Sequence, residues 1–164
     1  MKRLIVFVAV ICAVGVAGIA LADGRSAAVA AQTFTLVEHD GPFSFVDLPP
    51  VQSGPGRSVT PGDLLVLTNP LTRPGGAKAG RLYAACTVID ARTSIDDAIL
   101  HCNGSYVLPR GTLALSTTEP VASAPTLRLA VTGGTGAYAG ARGTVVSRAG
   151  REAGTRTDTV RLVR

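Results

Sequence analysis

The sequence has few of the side chains that metal sites and hydrolytic triads need. Among its 164 residues are two histidines, His39 and His101, which lie far apart, and three cysteines. A structural zinc site takes about four such ligands, so no metal site is expected. Serine, histidine and aspartate are present, but no Gly-x-Ser-x-Gly motif gives a serine the setting of a nucleophile. Neither a metal, nor another cofactor, nor a triad hydrolase is predicted.

Helical periodicity and clustered positive charge are also missing. From residue 32 onward, no long segment repeats its apolar residues at the spacing of a helix. The same region holds Lys78 and twelve arginines against ten acidic residues, spread without a basic cluster. A nucleic-acid partner is not expected, because nucleic-acid-binding proteins gather such charges on one face.

The N-terminus has the parts of a secretory signal peptide. Lys2-Arg3 form a positive start, and Leu4–Ala22 is an apolar stretch. Small-residue cleavage patterns stand at Ala20-Leu21-Ala22 and Ala28-Val29-Ala30. Residues 1–31 are therefore predicted to be a signal peptide and short linker, which gives a secreted or cell-envelope protein without stable membrane insertion. The alternative is an uncleaved anchor, since the apolar stretch approaches the roughly 17 to 25 residues that cross a bilayer.

Residues 32–164 have the length of one domain, and short β-rich runs recur in them between turn residues. These runs predict an all-β fold with eight strands: Thr33–Glu38, Leu64–Asn69, Arg81–Asp90, Ala98–Leu108, Gly111–Thr117, Thr126–Thr132, Gly143–Arg148 and Arg156–Val163. Eight antiparallel strands can close into a barrel whose interior is filled by side chains or holds one small ligand. The Pro- and Gly-rich segment 41–62 is predicted as a loop over the barrel or its mouth.

Cys86 and Cys102 remain after export to an oxidising compartment, where a disulfide is the default expectation. A hairpin around Thr93-Ser94-Ile95 would place the two cysteines directly opposite each other. They would share one face with Val88, Leu100 and Tyr106. Such a crosslink stabilises a fold by about 3 kcal/mol. The alternative is a free, reactive Cys86.

The run Val131–Gly143 is rich in glycine and looks like a dinucleotide-binding fingerprint. That function requires a helix after the glycine turn and the rest of a doubly wound sheet. The segments that follow, Thr144-Val145-Val146 and 157–163, are β-branched and alternate as strands do. The run is therefore predicted to connect two strands, with glycines where φ is positive. A helix emerging directly from Gly136 would contradict the barrel.

Three blocks of the sequence resemble, in the same order, the allene oxide cyclase barrel family: Gly62–Asn69, Ala79–Cys86 and Leu129–Gly136. The related dirigent proteins are matched at His39-Asp40, where the first strand ends, and at Ala141-Arg142-Gly143. The resemblance implies an eight-stranded antiparallel barrel with an apolar cavity, often assembled as a trimer. Such a barrel holds a hydrophobic substrate while a reactive intermediate cyclises or couples with defined stereochemistry.

The resemblance to the cyclases also implies roles for single residues. Asn69 matches a position that holds an ordered water near the reacting epoxide, and Cys86 matches a cavity cysteine. The first-strand glutamate of the cyclases falls near Thr35 here, so Glu38 is predicted as a substitute carboxylate that stabilises charge.

The dirigent resemblance adds Asp40 and Arg142, which match pocket residues that bind or deprotonate a phenolic intermediate. Each has a structural alternative, because Asp40 could cap the turn before Gly41-Pro42 and Arg142 could project into solvent. Further ligand-binding candidates are three tyrosines whose hydroxyls could anchor a ligand, or which are ordinary core residues; they are Tyr83, Tyr106 and Tyr138.

Three functions remain open at this point. The favoured one is a secreted barrel that binds a small hydrophobic molecule and steers its cyclisation or radical coupling by orientation. The alternatives are a non-catalytic module that holds such a ligand, and a structural envelope protein whose barrel is filled by side chains. An accessible apolar cavity with Asp40, Asn69 or Arg142 pointing inward would favour the first two functions, and a solid interior would favour the third.

Overall fold

The computed structural model describes residues 31–49, 59–91, 95–121 and 123–163. Residues 1–30 of the predicted signal peptide lie outside this part, as do the middle of segment 41–62 and Thr93-Ser94 of the predicted hairpin turn. Among the described residues, no helix has the length and hydropathy needed to cross a membrane.

In the described part of the chain, nine strands form one antiparallel sheet. They are β1 (Gln32–His39), β2 (Phe43–Val46), β3 (Leu64–Thr72), β4 (Lys78–Asp90), β5 (Ile99–Leu108), β6 (Gly111–Glu119), β7 (Thr126–Gly134), β8 (Arg142–Ala149) and β9 (Thr155–Val163). Neighbours pair in the order β1-β9-β8-β7-β6-β5-β4-β3, and β1 also pairs with β3, which closes the ring. The predicted all-β, eight-stranded antiparallel barrel is confirmed, and β2 is an addition to it.

The prediction of a continuous loop at 41–62 is wrong at β2. The four residues of β2 pair with one end of β3, while β1 pairs with the other end. The two strands therefore lie end to end along β3 and are interrupted at Asp40-Gly41-Pro42. The Phe-Ser-Phe-Val alternation of β2 is short, and the Pro- and Gly-rich sequence around it conceals the strand.

β3 continues through Asn69-Pro70, a pair that is typical of a turn. The pairing of β3 with β1 and β2 is interrupted opposite this pair. Such an interruption is a place where a sheet tolerates proline, which has no N–H to give to the ladder. Asn69 is therefore held in a strand, with its side chain buried.

The glycine run connects β7 to β8, as predicted. Gly136–Tyr138 forms a single 3-10 turn, and the chain enters β8 at Arg142. This turn begins at Gly136, but its three residues do not make the α-helix that a dinucleotide site requires. Gly136 and Gly140 have φ of 58° and 75°, a conformation that glycine adopts without steric cost.

The disulfide is present where the hairpin spacing predicts it. Cys86 of β4 and Cys102 of β5 are direct partners in the ladder, with Cα atoms 4.0 Å apart. Val88, Leu100 and Tyr106 are buried on the same inner face, which confirms the predicted facing. Cys86 is therefore a crosslinked residue of the barrel wall and not a free thiol.

Buried apolar side chains form two clusters inside the barrel. The larger includes Leu36, Leu113 and Val145, which have no exposed surface. The smaller includes Leu100 together with the disulfide. Both clusters contribute to the wall of an interior cavity, so the barrel is not packed solid throughout.

Candidate functional site

An inner cavity of about 260 Å³ lies within the barrel. Its lining residues are Glu38, Asp40, Leu65, Leu67, Asn69, Leu82, Ala84, Cys86, Cys102, Gly104, Tyr106, Leu115, Thr117, Val121, Leu127, Leu129, Ser147 and Arg156. Most of these side chains are apolar, and the few polar ones converge from several strands. A mainly apolar cavity with a small number of placed polar groups is the usual form of a small-molecule site.

The register of β1 against β9 places charged side chains together on the inner face. Leu36 is opposite Asp158, and Glu38 is opposite Arg156. Because alternate residues of a strand point to the same face, Glu38 and Asp158 are diagonal neighbours inside the barrel. Ser147 of β8 is the direct partner of Asp158 on the other side of β9.

Asn69 connects Glu38 to the interruption between β1 and β2. Its Nδ2 donates a hydrogen bond of 2.5 Å to Glu38 Oε1, and its Oδ1 accepts one of 3.0 Å from the Gly41 amide. Gly41 has no room for a side chain, since a Cβ there would lie 2.1 Å from the carbonyl oxygen of Thr68. The glycine allows the backbone to approach β3 closely enough for Asn69 to reach both partners.

Asp158 lies behind the cavity wall and has no exposed surface. The Tyr106 hydroxyl donates a 2.7 Å hydrogen bond to its Oδ2. Its Oδ1 has no hydrogen-bond partner among the described residues. A proton carried by the neighbouring Glu38 carboxyl would give this oxygen a partner and remove one of two like charges.

The carboxyls of Glu38 and Asp158 hold protons unusually well. Burial, and then the charge of Asp158, raise the pKa of Glu38 to about 7, against the lowering effects of Asn69 and Arg156. Burial also raises the pKa of Asp158. Two buried carboxyls this close share a proton, because both cannot ionise without strong repulsion. As the pH falls below about 7, Glu38 takes up its proton and the pair loses one of its two negative charges.

Tyr106 stays protonated over the whole physiological range. Burial and the charges of Asp158 and Glu38 raise its pKa well above the ordinary value for a tyrosine. Its hydroxyl is thus a permanent donor to Asp158, and its ring forms part of the cavity wall.

A second cavity, of about 420 Å³, forms the mouth of the barrel. Its lining residues are Asp40, Gly41, Phe43, Phe45, Val59, Leu65, Leu67, Asn69 and Ile95. It shares Asp40, Leu65, Leu67 and Asn69 with the inner cavity, so the two adjoin at these side chains. We call this boundary the junction. β2, which sequence reasoning missed, supplies the two phenylalanines of the mouth.

Asp63 fixes the chain that leads to Val59 in the mouth. It is fully buried, and its carboxylate accepts hydrogen bonds from the amides of Leu48 and Thr60 and from the Thr60 hydroxyl. Burial opposes its ionisation, but these hydrogen bonds outweigh that effect and lower the pKa of Asp63. One carboxylate therefore holds Leu48, which follows β2, and Thr60, which is next to Val59 of the mouth.

The structure brings only some of the sequence-predicted site residues to the cavities. Glu38, Asn69 and Tyr106 line the inner cavity, Asp40 lies at the junction, and the disulfide forms part of the wall. The other three candidates line neither cavity.

Arg142 is exposed, and its Nη1 donates to the carbonyl oxygen of Ala141 at 2.9 Å. Tyr83 is 46% exposed on the outside of β4. Tyr138 is buried in the larger apolar cluster, where its ring centroid lies 6.3 Å from that of Phe34. These positions agree with the structural alternatives for Arg142 and Tyr138.

Sequence reasoning missed Asp158, Arg156 and Ser147 as members of the site. Asp158 stands in β9 at the same alternation as Val160 and Leu162, which are both buried. An acidic residue on the apolar face of a strand is a signal that could have identified it. Arg156 and Ser147 carry no such signal, because only the barrel register brings them inside.

The structure is a closed antiparallel barrel with an internal cavity, and solved proteins of several kinds have a similar fold. A pyocyanin demethylase has a similar structure, with a TM-score of 0.65 at 20% identity over 80% of this chain and 100% of that chain. A pterocarpan synthase dirigent protein is similar with a TM-score of 0.59 at 19% identity, over 80% of this chain and 92% of the other.

The Diels-Alderase AbmU from Streptomyces koyangensis is also similar, with a TM-score of 0.61 at 18% identity, over 81% of this chain and 63% of that chain. The predicted resemblance to dirigent and cyclase barrels is thus confirmed as a likeness of fold. No protein-family model matches the sequence, and no curated protein matches it significantly.

Proposed function

We propose that this barrel binds a small hydrophobic molecule in its joined cavities and steers the cyclisation or coupling of that molecule by confining it. One observation carries the proposal: an apolar cavity inside the barrel adjoins an apolar mouth and contains the titratable carboxyl of Glu38. Barrels of similar fold include a Diels-Alderase and a pterocarpan synthase dirigent protein, which supports a role in steering ring formation.

Confinement is the main source of rate and selectivity in this proposal. A reaction that is already downhill needs only its reacting atoms held in one orientation, and well-oriented groups gain up to about 7–11 kcal/mol in this way. The walls of the inner cavity supply that restraint with apolar side chains such as Leu67, Ala84 and Leu115.

Glu38 adds acid–base chemistry at the polar side of the cavity. A group with a pKa of about 7 can give or take a proton near neutral pH at little cost. In its protonated form Glu38 donates to a ligand oxygen, and in its ionised form it accepts a proton from a ligand hydroxyl. Asn69 positions the carboxyl of Glu38, and the negative charge of Asp158 favours its protonated form by raising its pKa. Asp40 is the second carboxylate within reach of the ligand.

The position of Arg142 favours a second candidate function. Because Arg142 lies outside both cavities, the acid–base pair that the dirigent resemblance implies is not assembled with Asp40. The same cavity can serve a binding protein that holds a hydrophobic molecule without changing it.

Export by the N-terminal signal peptide is part of the proposal for either function, and the Cys86–Cys102 disulfide suits an oxidising compartment. A trimer remains the expected assembly.

The test has a binding arm and a product arm. Ala84 lines the inner cavity, whereas Ala130 is exposed on β7 and lines no cavity among the described residues. We expect Ala84→Leu to weaken binding of an apolar fluorescent dye by about tenfold, and Ala130→Leu to leave it unchanged. Equal binding by both variants would show that the cavity is not the binding site.

For the product arm, purified protein is incubated with phenoxy radicals or allylic epoxides that otherwise give racemic products. Enantiomeric excess that is lost in Ala84→Leu would support steering. Racemic products throughout a broad panel, together with dye binding, would support the non-catalytic alternative.

A further inference from the structure

We propose that the ligand of this cavity is a hydrophobic amine, bound as its ammonium form at the junction between Glu38 and Asp40, with its apolar body in the mouth. This inference rests on the proposed binding function and names the chemical class of the ligand.

Negative charge predominates around the junction. Asp40 lies at the junction, Glu38 lines the inner cavity beside it and is hydrogen-bonded to Asn69 of the junction, and Asp158 is the diagonal neighbour of Glu38. The one positively charged side chain among the described residues of the inner wall is Arg156. A ligand that carries a positive charge would therefore neutralise the cavity, whereas a carboxylate ligand would add to the repulsion between buried carboxyls.

Arg156 is not free to receive an anion, because other groups of the protein occupy its guanidinium. Its Nε donates to Ser147 Oγ at 2.9 Å, and its Nη2 donates to the Ser147 carbonyl oxygen at 3.2 Å. Both Nη1 and Nη2 also reach the carbonyl oxygen of Ala124, at 3.3 Å. A bidentate grip on a carboxylate needs two parallel N–H groups, and this guanidinium does not offer them.

The remaining polar groups at the junction are mainly hydrogen-bond acceptors. Glu38 accepts a hydrogen bond from Asn69 at Oε1 only. The side-chain carbonyl oxygen of Asn69 already accepts a hydrogen bond from the Gly41 amide. The exposed carboxylate of Asp40 can accept bonds from a ligand, and so can the second carboxyl oxygen of Glu38 once the proton between Glu38 and Asp158 is lost. An ammonium group, with three N–H donors and no acceptor, matches this set.

The mouth accommodates the apolar part of such an amine. Phe43, Phe45 and Val59 line a space of about 420 Å³ that has Asp40 in its wall and adjoins the inner cavity, which contains Glu38. Phe43 is 66% exposed, so an apolar ligand that covers its ring removes apolar surface from water. Charge at one end and phenyl rings at the other select an aryl-alkyl amine over a simple polyamine.

Binding of the ammonium is coupled to release of a proton. The Glu38–Asp158 pair holds a shared proton, and an arriving positive charge favours its loss. Asp40 and Arg156 also act on Glu38, the former raising and the latter lowering its pKa, while Asn69, Tyr106 and Ser147 contribute uncharged groups. Affinity for an amine should therefore increase as the pH rises through about 7.

The test compares three probes with the same apolar body: phenylbutylamine, phenylbutanol and phenylbutyrate. Calorimetric titration of the exported chain, residues 32–164, at about pH 8 should give an affinity for the amine at least about tenfold above that for the alcohol, with no measurable binding of the carboxylate. Phenylbutyrate binding as tightly as phenylbutylamine would overturn the inference. Failure of all three probes while the apolar dye still binds would overturn it too, yet leave the proposed function standing. If the apolar dye also fails to bind, both the amine inference and the proposed function are overturned.

Two variants locate the ammonium. Asp40→Asn and Glu38→Gln should each reduce amine affinity by at least about fivefold and leave the alcohol unchanged. Glu152→Gln, at an exposed acid outside both cavities, is the matched control and should change neither. Equal amine affinity in all three variants would contradict the placement. Thermal melting of each variant shows that any loss arises in a folded protein.

Discussion

Glu38 and Asp158 face each other diagonally across two hydrogen-bonded strands, with Glu38 in the wall of the cavity and Asp158 buried behind it. Asn69 holds the first carboxyl and Tyr106 holds the second. The pair places a removable proton inside a mainly apolar barrel. The stability of the fold, and the ligand preference that we propose, should therefore both depend on the titration of this pair.

The stability of the fold should decrease with pH as Glu38 ionises. The folded protein holds this proton up to a pH of about 7, while the unfolded chain releases it near 4.5. The free energy of unfolding therefore decreases as the pH rises through that window. The full effect amounts to at most about 3 kcal/mol. Glu38→Gln mimics the protonated carboxyl, so we expect the variant to match the wild type near pH 5 and to exceed its stability near pH 8.

Urea unfolding of both proteins at these two pH values gives the measurement. The difference between the variants cancels the titration of distant groups. A Glu38→Gln variant whose stability relative to the wild type is the same at both pH values would contradict the shared proton.

Tyr106→Phe should destabilise the protein by about 1–3 kcal/mol, because it leaves Asp158 Oδ2 buried without a donor. Tyr83→Phe removes a hydroxyl from an exposed side chain and should stay within about 0.5 kcal/mol of the wild type. Denaturant midpoints of the two variants measure this difference. Equal effects would show that the Tyr106 hydroxyl has no special role.

Gly41→Ala should disturb the junction, whereas Gly133→Ala should be tolerated. Neither glycine has a positive φ, so the two sites differ in space and not in backbone preference. A Cβ at Gly41 would meet the Thr68 carbonyl oxygen at 2.1 Å, while the nearest atom to one at Gly133 is 3.8 Å away. We expect a loss of about 1–3 kcal/mol and weaker dye binding in Gly41→Ala alone. Matching melting curves for the two variants would be the contrary result.

Removal of the disulfide should lower stability by about 3 kcal/mol, since it closes a loop between residues that are 16 apart in sequence. The double variant Cys86→Ala/Cys102→Ala is compared with the wild type in oxidising and in reducing buffer. We expect the wild type to lose stability on reduction and the variant to be insensitive. A wild-type unfolding curve that is the same in oxidising and in reducing buffer would contradict a stabilising crosslink.

The strands and their closure could be predicted because the sequence features that indicate them lie within short segments. Alternation and turn residues mark eight of the strands, and the spacing of Cys86 and Cys102 sets the register of one hairpin. β2 could not be found in this way, because four residues between Pro- and Gly-rich segments give too short a pattern. Its pairing with β3 stabilises a strand that its own sequence scarcely indicates.

The site was only partly predictable, since it depends on contacts between distant segments. Glu38 and Asn69 are 31 residues apart, and Tyr106 and Asp158 are 52 apart. Whether each pair meets depends on the stagger of the whole ring, which no local pattern contains. Arg142 is an example of a local match that was misleading. The Ala141-Arg142-Gly143 motif implied a pocket residue, whereas the structure shows Arg142 exposed to solvent.

The protonation of Glu38 in the cavity can be measured directly by carbon NMR of a chain comprising residues 32–164, labelled at the glutamate carboxyls. That chain contains Glu38, Glu119 and Glu152, and the Glu38→Gln variant assigns the resonance of interest. We expect the Glu38 signal to titrate with a midpoint near 7 and the midpoint to fall when phenylbutylamine is added. A Glu38 midpoint near 4.5 that does not respond to the amine would contradict a buried, ligand-facing carboxyl.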